Sequence, residues 1–318
     1  MSDPQVVTLG EALMVFNGPP TGRLEKGAHV GVTFAGAESN LAIGLARLGH
    51  GVRWLSVLGD DPFGRDIARL LRGEGVDVAH VHTSHEAPTA VMFKHRRAWA
   101  EPEVFYYRAG SACSRATAET FDPAMWRDAR VIYLTGITPA LSPGCLELIY
   151  CVLQDAQRCG IPVWLDPNYR RKLWSEEQAS ATLRAFLPHV EVILTGLAEG
   201  QMLTGEAEPK AMAAALRDAG ARAVVLKMGA QGAYYLDHAV EEFAAAFPIA
   251  QVIDPIGAGD GFAAGFLSAT LDGLTPAECL QRGNAVGAIV NMTEGDWEGL
   301  PTRAELAQFL SQKTESVR

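Results

Sequence analysis

A net charge of −10 over 318 residues argues against a nucleic-acid partner, whose phosphates call for a basic face. The length suits one large core or two modest ones, and an apolar share of 48% is that of an ordinary soluble globular chain. Cys113, Cys145, Cys151, Cys159 and Cys279 make an odd count with no CxxC pair, which speaks against a disulfide framework and for reduced thiols in a cytoplasmic protein.

No apolar run approaches the roughly 18 residues of a membrane span. The polar start Ser2-Asp3-Pro4 lacks the basic and apolar regions of a signal peptide. The eight histidines are scattered and offer no metal-ligand spacing. Cys151 and Cys159 fit one helix face, a pattern that usually marks core packing.

The first predicted element is a strand over 6–9. Weak alternation over 30–35 precedes Gly36, and a helix over 39–48 closes on Gly49. A strand over 52–57 leads to a helix over 63–74, ended by Gly75. Two strands over 89–95 and 103–108 pair as a hairpin with no helix between them. A buried strand over 131–135 follows, then a helix over 143–159 capped by Ser142 and ended by Gly160. Short apolar strands are predicted over 163–166 and 192–195, a helix over 211–219 and a strand over 223–227. The polar stretch 311–318 is expected to fray. Strands alternating with helices imply a parallel sheet covered on both faces. The hairpin cannot join that sheet without a crossover, so it forms a small separate sheet over one end.

The most informative stretch is Asp254-Pro255-Ile256-Gly257-Ala258-Gly259-Asp260-Gly261, leading into a small-residue helix through about 269. A helix N-terminus offers unpaired N–H groups and a positive dipole end to anions. Gly257 and Gly259 let backbone approach a phosphate closely. Asp260 is a poor companion for a phosphate unless it takes a proton from an attacking hydroxyl. A plain Gly-rich turn with Asp260 as N-cap is the competing reading. Lys227-Met228-Gly229-Ala230-Gln231-Gly232 suits either a ligand-facing turn, with Lys227 reaching a phosphate, or an ordinary hairpin. No GxxxxGK[ST] loop and no GxGxxG after the first strand are present.

Two further stretches are Gly36-Ala37-Glu38-Ser39-Asn40-Leu41-Ala42 and Trp54-Leu55-Ser56-Val57-Leu58-Gly59-Asp60-Asp61-Pro62-Phe63-Gly64. With the Gly-Ala-Gly-Asp motif they closely resemble the ribokinase-like (PfkB) family of sugar kinases, from Gly10-Glu11 to Asp296. Phe105-Tyr106-Tyr107-Arg108, Asp166-Pro167-Asn168-Tyr169-Arg170, Gly295-Asp296-Trp297-Glu298-Gly299 and the run from Gly136 to Ser142 are similar to its 2-keto-3-deoxygluconate kinase branch.

The resemblance implies an α/β ribokinase-like fold. One domain over 1–318 would have a central, mostly parallel sheet, helices on both faces and a β lid from about 12–35 and 86–110. It implies ATP and Mg²⁺, with Asp260 as general base and the Gly257, Ala258 and Gly259 amides as anion hole. Lys227, Gly229, Gly232 and Asn284 would border the nucleotide, though close helix packing explains Asn284 equally well. Glu199 would hold magnesium through water, with Asn168 further out.

Arginine suits bidentate carboxylate binding, so Arg108 and Arg170 would read a sugar acid. Tyr106, on the same strand face as Arg108, joins Gly36, Asn40, Ile137 and Asp296 around the sugar. Two positions depart from the family pattern: Gly196 stands where an Asn-x-x-Glu motif begins, and Ile256 stands where threonine is common.

The expected activity is phosphorylation of 2-keto-3-deoxygluconate at its terminal hydroxyl. The alternatives are a fructokinase or other hexose kinase, and a non-catalytic sugar-binding sensor. Exposed lid edges favour a homo-oligomer. Neither a membrane nor a nucleic acid is expected as partner.

Overall fold

The structure, a computed structural model, describes residues 5–19, 25–97 and 100–315. Of the expected lid segments, 20–24 and 98–99 lie outside these.

The chain begins with β1 (Val6–Leu9), β2 (Leu13–Asn17), β3 (Gly31–Ala35) and α1 (Ala37–Arg47), then β4 (Val52–Leu55) and β5 (Val57–Gly59). Next come α2 (Pro62–Gly73), β6 (His82–Ser84), β7 (Val91–Arg97), β8 (Ala100–Tyr107) and β9 (Val131–Thr135). They are followed by α3 (Ile137–Ala140), α4 (Pro143–Cys159), β10 (Val163–Asp166), α5 (Glu176–Phe186), β11 (Val192–Gly196) and α6 (Leu197–Thr204). The last elements are α7 (Pro209–Asp218), β12 (Ala223–Lys227), β13 (Gly232–Leu236), β14 (Glu241–Ala245), α8 (Ala258–Leu271), α9 (Pro276–Asn291) and α10 (Arg303–Glu315).

Eight strands form the main sheet in the order β14-β13-β12-β11-β10-β9-β1-β4. Pairing is parallel from β12 to β4, while β13 and β14 add antiparallel at one edge. Successive strand residues feed opposite cores, as a two-residue period requires. Val6, Tyr133 and Val225 pack on the side of α1, α8 and α9. Val7, Leu134 and Val224 pack on the side of α4, α5 and α7.

β3-β2-β7-β8 form the small sheet, with β2 and β7 parallel and the other pairs antiparallel. The weakly alternating stretch near residue 30 is its edge strand β3, and β2 completes it. Its inner face carries Leu13, Val15, Ala35 and Met92.

Local chemistry accounts for the element ends. Asp61 caps α2 through the Gly64 amide, and Ser142 caps α4 through that of Cys145. Gly160 ends α4 in the left-handed conformation. The expected strand over 52–57 breaks at Ser56: β4 joins the main sheet, while β5 turns away to pair with β6. α10 stays helical through Glu315, beyond the expected onset of fraying. Cys151 and Cys159 are exposed on α4 rather than packed, and all five cysteines are free. Among the described residues no helix is long and apolar enough to cross a membrane.

Candidate active site

A cavity of about 480 Å³ lies at the carboxyl ends of the parallel strands, beneath the small sheet. Open α/β sheets place ligands at this end because the strand-to-helix loops converge there. α1 contributes Asn40, preceded by Gly36; α8 contributes Gly259 and Asp260, preceded by Gly257. Ile137, Asn168, Arg170 and Glu199 follow the ends of β9, β10 and β11, and Lys227 ends β12. The small sheet supplies Met92, Lys94 and Tyr106, with Arg108 just beyond β8. Tyr107 points the other way and is 65% exposed.

Asp260 sits in the first turn of α8 and is 9% exposed. Its Oδ2 accepts from Asn40 Nδ2 at 2.8 Å, and its Oδ1 accepts from Asn168 Nδ2 at 3.4 Å. Burial pushes its carboxyl up to about 7, against the pull of the Asn40 hydrogen bond and of Arg170 and Lys227. A carboxyl that titrates near neutral pH is matched to general-base work. Gly257 takes φ 79° and begins α8 without a side-chain cap. A Cβ there would run into the Asp296 carbonyl, so only glycine fits. The Ala258 amide turns back to the Pro255 carbonyl at a long 3.4 Å.

Most cavity cations already have partners. Arg108, expected to face a substrate carboxylate, donates to Glu11 Oε2 at 2.7 Å, and Glu11 Oε1 accepts from Ser111. Lys227, expected on a phosphate, donates to Asp166 Oδ2 at 2.6 Å. Burial pulls its ammonium down, but the Asp166 and Glu199 carboxylates outweigh this and hold it charged. Asp296, expected to receive a sugar hydroxyl, receives Lys94 Nζ at 2.6 Å. Asn40, expected on sugar hydroxyls, lines the cavity and donates to Asp260; its own Oδ1 is buried without a partner. Arg170 lines the cavity; its carbonyl accepts the Leu173 amide at 2.8 Å, and its guanidinium acts through space on the Asp260 carboxylate.

The expected nucleotide residues divide. Lys227 is in the cavity wall, whereas Gly229, Gly232 and Asn284 are not. Gly229 (φ 58°) and Gly232 (φ 120°) shape the turn from β12 to β13. Asn284 Nδ2 is spent on the Ala244 and Ala245 carbonyls, at 2.9 and 3.2 Å, which is helix-to-strand packing.

Glu199 Oε2 accepts the Gly196 amide at 3.0 Å, and its Oε1 accepts the Tyr169 amide at 2.8 Å. Gly196 thus serves as the N-cap of α6, its amide held by Glu199. Among the described residues no three His, Cys, Asp or Glu side chains converge to hold a metal. The carboxylates of Asp166 and Glu199 in the cavity wall are the oxygen donors that a magnesium ion held through water would use.

Sequence reasoning missed Glu11, Lys94 and a role for Asp166. A signal existed for Lys94. It shares strand parity with Ala90 and Met92, so a lysine there interrupts an apolar face.

The model of the pfkB family carbohydrate kinases matches residues 3–303. A 2-dehydro-3-deoxygluconokinase of Bacillus subtilis is 39% identical over 96% of this chain and 95% of its own length. The crystal structure of a PfkB protein from Polaromonas sp. JS666 superposes with a TM-score of 0.88 at 38% identity, covering 96% of this chain and 99% of that one. A fructokinase with bound ATP from Xylella fastidiosa has a TM-score of 0.86 at 22% identity, over 98% of this chain and 99% of its own. With the family model spanning nearly the whole chain, this protein belongs to the pfkB family of carbohydrate kinases and is a phosphotransferase.

Proposed function

We propose that the chain transfers the γ-phosphate of ATP to the terminal hydroxyl of 2-keto-3-deoxygluconate, giving 2-keto-3-deoxy-6-phosphogluconate and ADP. The observation that carries this reading is Asp260. A buried carboxyl with a pKa of about 7 stands one residue after the glycine turn that starts α8. The hydroxyl gives its proton to Asp260 as its oxygen bonds to the γ-phosphorus, and the bond from that phosphorus to the β-γ bridging oxygen breaks. The Gly257 and Gly259 amides receive the charge that builds on the transferring group. Lys227 adds a point charge, sharing its ammonium with Asp166.

Glu199 and Asn168 would hold magnesium through water. When bound, the ion neutralises charge on the phosphates. The small sheet serves as a lid that excludes water, which would compete as acceptor.

Arg170 supports the acid substrate, being a cation in the cavity wall that is not locked into a close ion pair among the described residues, as Arg108 and Lys227 are. The identity to a 2-dehydro-3-deoxygluconokinase supports the same choice. A neutral hexose is the second reading, favoured by the neutralisation of Arg108 by Glu11. The deciding experiment is ADP release with ATP and Mg²⁺, comparing 2-keto-3-deoxygluconate with fructose, ribose and gluconate. Preference for the keto acid supports the proposal; preference for fructose replaces the substrate and keeps the mechanism.

A further inference from the structure

Asp296 makes two contacts that join separate parts of the protein. Its side chain accepts from Lys94 Nζ, and both side chains are 3% exposed. Its backbone carbonyl lies against Gly257 so closely that no Cβ would fit there. Lys94 belongs to β7 of the small sheet, on the same face as Met92. Gly257 opens α8, whose first turn carries Asp260. One residue therefore connects the small sheet to the turn that would receive the phosphoryl group.

Two adjacent contacts run the same way. Thr33 Oγ1 of β3 donates to Glu298 Oε1 at 2.7 Å, and the Phe34 ring lies 5.0 Å from that of Trp297. From the other side Arg47 of α1 donates to the Leu300 carbonyl at 2.6 Å. The 296–300 segment is thus held between the small sheet and α1.

Stability is a weak reason for a buried ion pair, because apolar residues of similar volume often serve as well. A fixed geometry is a better one here. The pair has one partner in the small sheet and one in the 296–300 segment, and the second partner's backbone abuts the Gly257 turn.

We propose that Lys94 is a positioning residue for phosphoryl transfer, holding the Gly257 turn in its productive geometry through Asp296 when the small sheet is seated. This rests on the kinase reading above, which the wild-type assay tests first: absence of turnover with every sugar tried overturns both.

The specific test is Lys94→Met, measured with ATP and 2-keto-3-deoxygluconate. A group that acts only in the transition state lowers kcat and leaves KM alone, so kcat should fall about 10- to 100-fold with both KM values within about threefold. Lys94→Arg, which restores the cation, should recover much of that loss. A rise in sugar KM with kcat retained would overturn the proposal by making Lys94 a substrate contact, and unchanged kinetics would overturn it outright. Should Lys94→Met fail to fold, Thr33→Val cuts the neighbouring tie. Its kcat should drop about threefold at constant KM, and an unchanged kcat overturns the proposal.

Discussion

Asn40 Nδ2 donates to Asp260 Oδ2 at 2.8 Å, joining residues 220 positions apart. The contact ties the first turn of α1 to the first turn of α8. It leaves Asp260 Oδ1 facing Asn168 and the cavity. The carboxylate is therefore held by Asn40 with its other oxygen turned toward the cavity, where the proposed mechanism brings the hydroxyl. A plain N-cap would instead spend its oxygen on its own helix, and Gly257, not Asp260, occupies the cap position.

Asp260→Asn keeps an acceptor for Asn40 and nearly the same volume, so the fold and ATP binding should survive. Proton acceptance is lost. Removal of a general base typically costs ~10²–10⁴-fold, and that fall should appear in kcat at unchanged ATP affinity. Near-normal turnover would remove Asp260 from the proton-transfer role.

The raised pKa of Asp260 makes two pH predictions. The ionised form is the base, so kcat/KM should decline as pH falls through about 7. Stability runs in the opposite sense. Between the ordinary carboxyl value of 3.8 and about 7, the unfolded chain has lost its proton while the folded chain keeps it. Folding stability contributed by this group is therefore full below that window and falls as pH rises through it, by on the order of 4 kcal/mol at most. Asp260→Asn should then melt higher than wild type at pH 8 and close to it at pH 4. Equal melting shifts at both pH values would contradict the assigned burial.

Arg170→Ala should separate acidic from neutral substrates. A hydrogen bond to a charged group is worth about 1.5–3 kcal/mol, so kcat/KM for the keto acid should fall roughly 10- to 100-fold. Phosphorylation of fructose, where measurable, should change little. Equal losses on both would mean that Arg170 does not read a carboxylate.

Several of these features were legible in the chain. The 143–159 helix carries its own cap and its own stop, and the structure gives the same bounds. Alternating strands and helices forecast the parallel sheet, and the Gly-Ala-Gly-Asp run forecast a helix start beside a carboxylate. The ion pairs were not legible, because partners such as Glu11 and Arg108, or Lys94 and Asp296, are 97 and 202 residues apart and only the fold brings them together. β13 and β14 were missed for a different reason. Their Gly-Ala-Tyr-Tyr and Glu-Glu-Phe-Ala sequences at the sheet edge lack the unbroken aliphatic runs of the central strands. Asn284 was read as either nucleotide contact or helix packing, and its Nδ2 contacts to the Ala244 and Ala245 carbonyls could not be read from the sequence, because only the fold brings α9 to β14.

The two glycines of the turn proposed to receive the phosphoryl group should respond differently to alanine. Gly257 holds φ 79°, and its Cα faces the Asp296 carbonyl with no room for a methyl group. Left-handed backbone costs a non-glycine residue about 1–2 kcal/mol before any clash, and here the clash is with backbone that side-chain motion cannot relieve. Gly257→Ala should therefore lower both the melting temperature and kcat. At Gly259 a Cβ would meet only Lys227 Nζ, at 3.6 Å, which is ordinary contact. Gly259→Ala should melt like wild type, with loss confined to turnover and ATP affinity, because the added methyl projects toward the lysine that shares the phosphate site. Thermal melts alongside kinetics on the two variants make the comparison. If Gly259→Ala retained full activity, the phosphoryl group would have to sit elsewhere than over this turn, and the assignment of its amides as the anion hole would fall.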